Sequence, residues 1–358
     1  MADRPYEETR HAVILAAGES KRTRPLTLHR PKPLIPLLDR PLLAHILDEL
    51  PAAVERVSLV VGYRAEQIEA AFGARYRGMA LRYVRQTVVN GTAGALLAAG
   101  PIDEPFLLLY GDNLVARADL EGVCRWRYAM AGLPVEDARP FGVLEVEGGL
   151  VRRIVEKPPA PPPGALINAG IFHLDGAVFP LLERIEPSPR GELELTDVVG
   201  ALVAAGHGVH VHRCVGHWVP VGTPWEALSA VQFLLARRPE GAVWVHPGAR
   251  VHLGARLVGP AAVGDGAVVE DGAVVSGSVL EAGARVGAGA AVAASWLEAW
   301  ASVGAGATLA ARAFADALPT VETCGLLSGE LLRTRGAILG RGAAVEAGAA
   351  GVAGGGIG

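Results

Sequence analysis

Apolar and polar positions change rhythm twice along the chain. Over the first 238 residues, short apolar or β-branched runs alternate with amphipathic stretches. Residues 12–16, 57–61, 81–85 and 106–110 are predicted strands. Residues 42–50, 65–72 and 93–99 are predicted helices between or near them. Two more strands, 141–146 and 150–156, flank Gly148-Gly149, a hairpin signal. A proline-rich loop over 158–163 precedes a strand at 166–174. Helices over 196–205 and 224–237 follow, the first entered through Thr196-Asp197 and the second through Thr223-Pro224. This order predicts an α/β domain over 1–238 with a mainly parallel sheet.

Past Pro239 the period becomes six. Val245, Val251, Leu257, Val263, Val269 and Val275 keep it, and Leu280, Val286 and Val292 resume it after a one-residue slip. Alanine stands four places after most of them, at Ala249, Ala255, Ala261, Ala267, Ala273, Ala284 and Ala290. Neither a helix nor simple alternation has this spacing. It predicts a parallel β-helix over 239–358, with one apolar residue per short strand on the axis. The apolar stretch from 287 to 311 is mostly alanine and glycine, holds Glu298 and largely follows the repeat, so it reads as coil and not as a membrane span.

Composition narrows the partners. The 358 residues carry 33 basic and 37 acidic side chains, a net charge of −4 that offers no global field for nucleic acid or an anionic membrane. Cys124, Cys214 and Cys324 lie far apart without a Cys-x-x-Cys pair, which reads as reduced thiols in a cytoplasmic protein. The acidic start (Asp3, Glu7, Glu8) and the short first apolar run do not make a signal peptide. Only three of the 33 cations are lysines: Lys21, Lys32 and Lys157. A lysine kept among so many arginines points to a place where a compact ammonium is not equivalent to a planar fork.

The first strand runs into Leu15-Ala-Ala17-Gly18-Glu-Ser20-Lys21-Arg22-Thr23-Arg24-Pro-Leu-Thr27, then Arg30-Pro-Lys32-Pro-Leu34. A glycine turn after the first strand of an α/β domain lies at the carboxyl edge of the sheet, where ligands bind and backbone N–H groups meet phosphate. Between residues 18 and 40, six Lys/Arg face Glu19 and Asp39, a local +4 suited to a polyphosphate. Neither G-x-x-x-x-G-K-S/T nor G-x-G-x-x-G occurs at this turn.

These residues resemble the sugar-1-phosphate nucleotidyltransferases, or NDP-sugar pyrophosphorylases. Their signature, L-A/S-A/G-G-x-G-S/T-R-L/M-x-P-L-T/S followed by P-K-P/Q-L-x-P, matches residues 15–36, with Ser20 at the second glycine and Thr23 at the Leu/Met position. Gln86 with Gly91-Thr92-Ala93, Tyr110-Gly111-Asp112-Asn113, Phe141-Gly142-Val143, Glu156-Lys157-Pro158, Asn168-Ala169-Gly170, Arg190-Gly-Glu-Leu-Glu194 and Trp218 to Pro224 follow in the family's order. The resemblance spans 12–238. It implies a Rossmann-like nucleotidyltransferase domain with a mainly parallel mixed sheet, followed by a left-handed parallel β-helix.

The same resemblance implies the site. Arg22 and Lys32 bind the nucleotide phosphates. Leu15, Ala17, Gly18, Gly111 and Thr92 line the nucleotide, while Gln86 and the Gly91 backbone read the base. Asp112 carries Mg2+, and with Arg22 and Lys32 makes the catalytic set. Gly142, Glu156 and Asn168 hold sugar hydroxyls; Lys157, with Arg190, binds the sugar phosphate. The substrate phosphate is itself the nucleophile, so catalysis is positioning and charge neutralisation. His29, His45, His173, His207, His210, His212 and His217 need not be catalytic, and His207, His210 and His212 read as strand-edge or surface residues.

One motif breaks. The family's W-x-D-V/I-G-T-P ends here as Trp218-Val-Pro220-Val-Gly222-Thr-Pro224, with proline at the second metal-ligand aspartate. Mg2+ held by one carboxylate plus phosphates and water remains chemically sound. Two functions therefore stand: an enzyme making an NDP-sugar and pyrophosphate from an NTP (dTTP or UTP before GTP) and a hexose-1-phosphate, or a nucleotide-sugar-binding subunit with little catalysis. Mannose-1-phosphate guanylyltransferase is the runner-up substrate reading. Val303 to Thr308 and Arg333 to Gly340 resemble the acetyltransferase β-helix of bifunctional N-acetylglucosamine-1-phosphate uridylyltransferases. Their acetyl transfer uses a histidine, and none follows His252 here, so no acetyltransferase activity is expected. The β-helix is then expected to assemble a homo-oligomer, a trimer by preference, or to act as a spacer.

Overall fold

A computed structural model describes residues 9–309 and 337–351. Arg333 to Gly336 of the acetyltransferase-like run, Cys324, the acidic start and the last two residues of the apolar stretch lie outside the described residues. The chain divides into two compact units, Met1–Glu19 with Leu43–Val219, and Ser20–Leu42 with Pro220–Gly358. Packing thus divides the chain elsewhere than at Pro239, where the texture of the sequence changes.

Among the described residues, the first unit holds a ten-stranded sheet: β1 (His11–Ala16), β2 (Arg56–Val61), β3 (Arg75–Tyr76), β4 (Met79–Arg85), β5 (Phe106–Tyr110), β6 (Ala129–Pro134), β7 (Gly142–Glu147), β8 (Leu150–Glu156), β9 (Leu166–Leu174) and β10 (His210–Arg213). The order is β7-β8-β10-β6-β9-β5-β1-β2-β4-β3. β5, β1, β2 and β4 run parallel, with β1 in the middle and buried at Ala12, Val13 and Ile14. Near-continuous apolar runs in β5, β1 and β2 reflect a sheet covered on both faces there, whereas β4, nearer the edge, keeps only Leu81 buried. Beyond β5 the pairing is mixed: β9 runs antiparallel to both β5 and β6, and β7–β8 form the expected hairpin. Its Gly148 and Gly149 have φ of 59° and 81°, the left-handed pair a two-residue turn requires.

The helices are α1 (Leu42–Glu49), α2 (Ala65–Phe72), α3 (Thr92–Ala98), α4 (Arg117–Val123), α5 (Phe179–Leu182), α6 (Leu195–Ala204) and, in the second unit, α7 (Pro224–Ala236). Thr223 caps α7 as expected, its hydroxyl accepting the Glu226 N–H at 3.2 Å. Helix α6 is not entered through Thr196-Asp197. It starts at Leu195, whose N–H goes to Thr92 Oγ1 at 3.0 Å, so a residue from α3 takes the place of a local cap. The strand-edge or surface reading of His212 is also corrected. β10 lies inside the sheet, and His212 Nε2 meets the buried Asp119 Oδ1 of α4 at 2.9 Å. A side chain at Gly122 would collide with that imidazole. His210 stacks on Trp126 with centroids 5.1 Å apart, and His207 is exposed.

The second unit forms the left-handed parallel β-helix, with three sheets of five short strands among the described residues. One sheet stacks Val243–Val245, Ala261–Val263, Val279–Leu280, Trp296–Leu297 and Ile338–Leu339 in parallel register. The six-residue positions fill the axis: Val263, Val269, Val275, Leu280, Val286 and Val292 are buried, and so are Ala261, Ala267, Ala273, Ala284 and Ala290. Val251 and Leu257 of the first coil are only half-buried, because a terminal coil has a neighbour on one side. The one-residue slip falls at a corner where Ser278 and Ser295 stack. Ser278 Oγ accepts the Ser295 N–H at 3.1 Å, and Ser295 Oγ accepts the Ala337 N–H at 2.9 Å, satisfying buried backbone donors.

Candidate active site

In the first unit the expected nucleotide residues gather where β1, β2 and β5 end. The Ala17 carbonyl accepts the Tyr63 N–H at 3.1 Å, and the Leu15 carbonyl accepts the Gly111 N–H at 2.9 Å. Glycine is needed at both contacts. A Cβ at Gly62 would stand 2.5 Å from the Ala17 oxygen, and one at Gly111 2.8 Å from the Leu15 oxygen. Gly18 is left exposed at this carboxyl edge, and the Asp112 side chain is half-buried on the turn after β5.

Gln86 follows β4 and is buried. Its Nε2 donates to Asn90 Oδ1 at 3.1 Å and to the Gly91 carbonyl at 3.3 Å, fixing the amide's orientation. Gly91 has φ 107°, and any side chain there would collide with Leu193. The Leu193 N–H reaches the Asn90 carbonyl at 2.7 Å and its carbonyl accepts the Ala93 N–H at 2.9 Å. The turn that carries Gly91 and Thr92 is therefore locked to the segment entering α6.

Tyr110 lies between Thr92 of this turn and Asn168 of β9. Burial pushes the Tyr110 pKa well above the ordinary phenol range, against the pull of the neighbouring Thr92 and Asn168 side chains. The ring fits because residue 170 is glycine: a Cβ there would stand 2.5 Å from Tyr110 Cδ2. Asn168 lies at a break in the β9–β6 register, where its Oδ1 accepts the Gly170 N–H at 2.9 Å and the Trp218 indole donates to the Ala169 carbonyl at 2.9 Å. Sequence reasoning missed Tyr110 as a site residue. Its only signal was its place at the head of the Tyr-Gly-Asp-Asn turn.

The residues expected to hold the sugar and its phosphate form a second cluster. Gly142 pairs with Glu156 across the hairpin, and a Cβ at Gly142 would stand 2.9 Å from Glu156 Oε2. Arg190 Nη2 donates to Glu156 Oε1 at 3.2 Å and to Glu194 Oε1 at 2.7 Å. Lys157 Nζ stands 3.8 Å from Glu156 Oε1. Lys157 takes a left-handed backbone with φ 48°, its N–H bound to the Phe141 carbonyl at 3.0 Å. Two exposed cations thus share one carboxylate, a weak arrangement that an incoming phosphate can enter.

Arg22 and Lys32 belong to the second unit. Arg22 is exposed on the turn Lys21–Thr23, and Lys32 is buried at the start of the turn Lys32–Leu34. Ser20 adopts φ 56°, ψ 47°, a conformation that explains the family's preference for glycine there. Thr23, at the family's Leu/Met position, is fully buried and donates its hydroxyl to the Gly222 carbonyl at 2.9 Å. Pro220 ends the strand Trp218–Pro220 and has no ligand atom. Among the described residues, no three His, Cys, Asp or Glu side chains cluster closely enough to hold a metal. The half-buried Asp112 carboxylate suits Mg2+ as one protein ligand in a shell completed by phosphate and water.

Residues 11–237 match the family described as Nucleotidyl transferase. The chain is 36% identical over 227 residues to the bifunctional protein GlmU of Methanocaldococcus jannaschii, covering 63% of this chain and 54% of that protein. It is 31% identical over 233 residues to the UTP–glucose-1-phosphate uridylyltransferase AglF of Haloferax volcanii, covering 62% of this chain and 96% of that protein. The chain thus spans about half the length of the GlmU relatives it matches. In fold it resembles a UDP-glucose pyrophosphorylase crystallised with UDP-glucose, with a TM-score of 0.57, 23% identity, and coverage of 64% of this chain and 100% of the other.

Proposed function

The chain belongs to the nucleotidyl transferase family, and on that premise we propose that it transfers a nucleotidyl group from dTTP or UTP to a hexose-1-phosphate, releasing pyrophosphate. The uridylyl form is supported by the activity for which the Haloferax relative is named. The observation that carries the reading is the segment 190–194, whose Leu193 bonds the backbone of Asn90 and Ala93 and whose Arg190 donates to Glu156 at 3.2 Å. It makes the base-side turn and the sugar-side strand one hydrogen-bonded body, as a two-substrate site requires.

The sugar phosphate oxygen attacks the α-phosphorus in line, and the bond to the β-phosphate oxygen breaks as pyrophosphate leaves. The attacking oxygen is already anionic, so no side-chain base or nucleophile is needed. Gln86 and the Gly91 backbone orient the base, and Leu15, Ala17, Gly18 and Gly111 line the nucleotide. Asn168, Glu156 and the Gly142 backbone orient the sugar. Lys157 and Arg190 bind the sugar phosphate; Arg22 and Lys32 neutralise the nucleotide phosphates and the leaving pyrophosphate. Asp112 would hold Mg2+, which when bound screens charge on the transferred group. Assembly of a homo-oligomer through the β-helix is part of this reading.

The test is pyrophosphate release from dTTP, UTP and GTP against glucose-, glucosamine- and mannose-1-phosphate with Mg2+. Turnover with UTP or dTTP is expected. Nucleotide-sugar binding without turnover in any pair would establish the second reading, a binding subunit, which Pro220 favours. In an active enzyme, Pro220→Asp is expected to lower the Mg2+ concentration needed for half-maximal rate. An unchanged requirement would mean that another group already supplies the ligand.

A further inference from the structure

A β-helix of this kind wants small residues at its corners. The position after the axial residue of one sheet obeys this at Gly264, after Val263, and at Gly340, after Leu339. In the two coils between, the same position carries Glu281 after Leu280 and Glu298 after Leu297. The register Leu280↔Leu297 stacks these glutamates on adjacent coils, about 4.8 Å apart along the ladder. They are 7% and 1% exposed. Two carboxylates so close and so dry repel one another and lose hydration.

Arg30 answers both. Its Nη2 stands 2.7 Å from Glu281 Oε2 and 2.8 Å from Glu298 Oε1. The other oxygens are also occupied: Glu281 Oε1 accepts the Trp296 indole N–H at 2.8 Å, and Glu298 Oε2 accepts the Arg341 N–H at 3.2 Å. Glu281 Oε2 further accepts the Ala299 N–H at 3.2 Å. Arg30 itself is no part of the β-helix. It stands next but one to Lys32 on the segment Ser20–Leu42, which also carries Arg22 and whose cations outnumber its carboxylates. Such a segment repels itself, and the corner glutamates supply the counter-charge it lacks.

We propose that Glu281 and Glu298 are positioning residues for nucleotide-phosphate binding, clamping Arg30 and thereby holding the segment that presents Arg22 and Lys32. The proposal rests on the phosphate-binding role given to those two cations above. It assigns the β-helix a part in nucleotide affinity within one chain, separate from assembly between chains.

Corner glutamates that served only the β-helix would cap the Ala299 and Arg341 N–H groups and leave ligand affinity alone. The test compares Arg30→Gln, the pair Glu281→Gln with Glu298→Gln, and all three together. Readouts are UTP dissociation constant by calorimetry, KM for each substrate, and backbone hydrogen exchange over residues 20–42. We expect UTP affinity to fall about tenfold in Arg30→Gln and in the Gln pair, with the triple variant no worse than either. KM for the sugar phosphate stays unchanged, exchange over the segment quickens, and Arg30→Lys, which restores the charge, recovers part of the affinity. Unchanged UTP affinity in the folded Gln pair, additive losses, or equal losses for both substrates would overturn the proposal. Parent protein that binds UTP without turnover defeats only the catalytic reading. Parent protein that binds no nucleotide defeats both.

Discussion

Each unit holds a polar cluster close in sequence to candidate residues, and the two are built from opposite materials. Around Tyr110 the groups are neutral: a phenol, a threonine hydroxyl and a carboxamide, with burial holding the phenol protonated. Around Arg30 they are ions. Burial and the neighbouring Glu281 push the Glu298 carboxyl up to about 7, against the pull of Arg30. A buried phenol held protonated keeps its neutral form at any physiological pH. An ionic clamp with two carboxylates for one guanidinium sits near its own titration point. Rigid recognition and tunable charge have been assigned to different units.

Three substitutions test that contrast. Tyr110→Phe carries the largest expected effect, because it removes the buried hydroxyl beside Thr92 and Asn168. A loss of about 1–3 kcal/mol in chemical unfolding is expected, with KM raised for both substrates. Equal stability in the two proteins would show that the hydroxyl contributes nothing, and the contrast would fail.

Glu298→Gln addresses the other side. The folded carboxyl keeps a proton that the unfolded chain loses between the ordinary glutamate value of 4.5 and about 7. Its contribution is therefore fully present below 4.5 and is lost as pH rises towards 7. Melting temperatures of parent and variant across this range should diverge, the Gln protein lacking that decline and matching or exceeding the parent at pH 8. Parallel curves would remove Glu298 as a titrating member. Because Glu281 still holds Arg30 in the single variant, UTP affinity should move by about twofold at most.

The smallest effect is expected of Ser20→Gly. It relieves a left-handed backbone on the clamped segment without touching the clamp. Stability should rise by about 0.5–1 kcal/mol in a denaturant titration, the relief being offset in part by the freedom glycine gains when unfolded. A UTP affinity that changed with it would mean that Ser20 orders the phosphate-binding turn by itself.

Much of the candidate site could be read from the chain because its residues are local in sequence. Leu15, Ala17 and Gly18 follow one strand, Gly91 and Thr92 open one helix, and Glu156 and Lys157 end another strand. Each needs a short-range conformation that glycine, proline or a cap residue announces. Tyr110, Arg30 and His212 escaped for the converse reason. Tyr110 lies beside Thr92 and Asn168, Arg30 reaches Glu281 and Glu298, and His212 reaches Asp119. No period or spacing encodes such pairs.

The amino-acid sequence by itself determined the strands of the parallel core, the β-helix and the places of the glycine-rich turns proposed to meet phosphate. Periodicity of burial is a property of neighbouring residues, and it survives in the linear pattern. Only the tertiary structure decided that the lysine- and arginine-bearing segment packs with the second unit and that α6 is capped from α3. It alone also decided that two corner glutamates answer one arginine. Those outcomes depend on which distant groups are left dry and unpaired once the cores have formed, and a buried charge or N–H takes whatever partner the fold brings within reach.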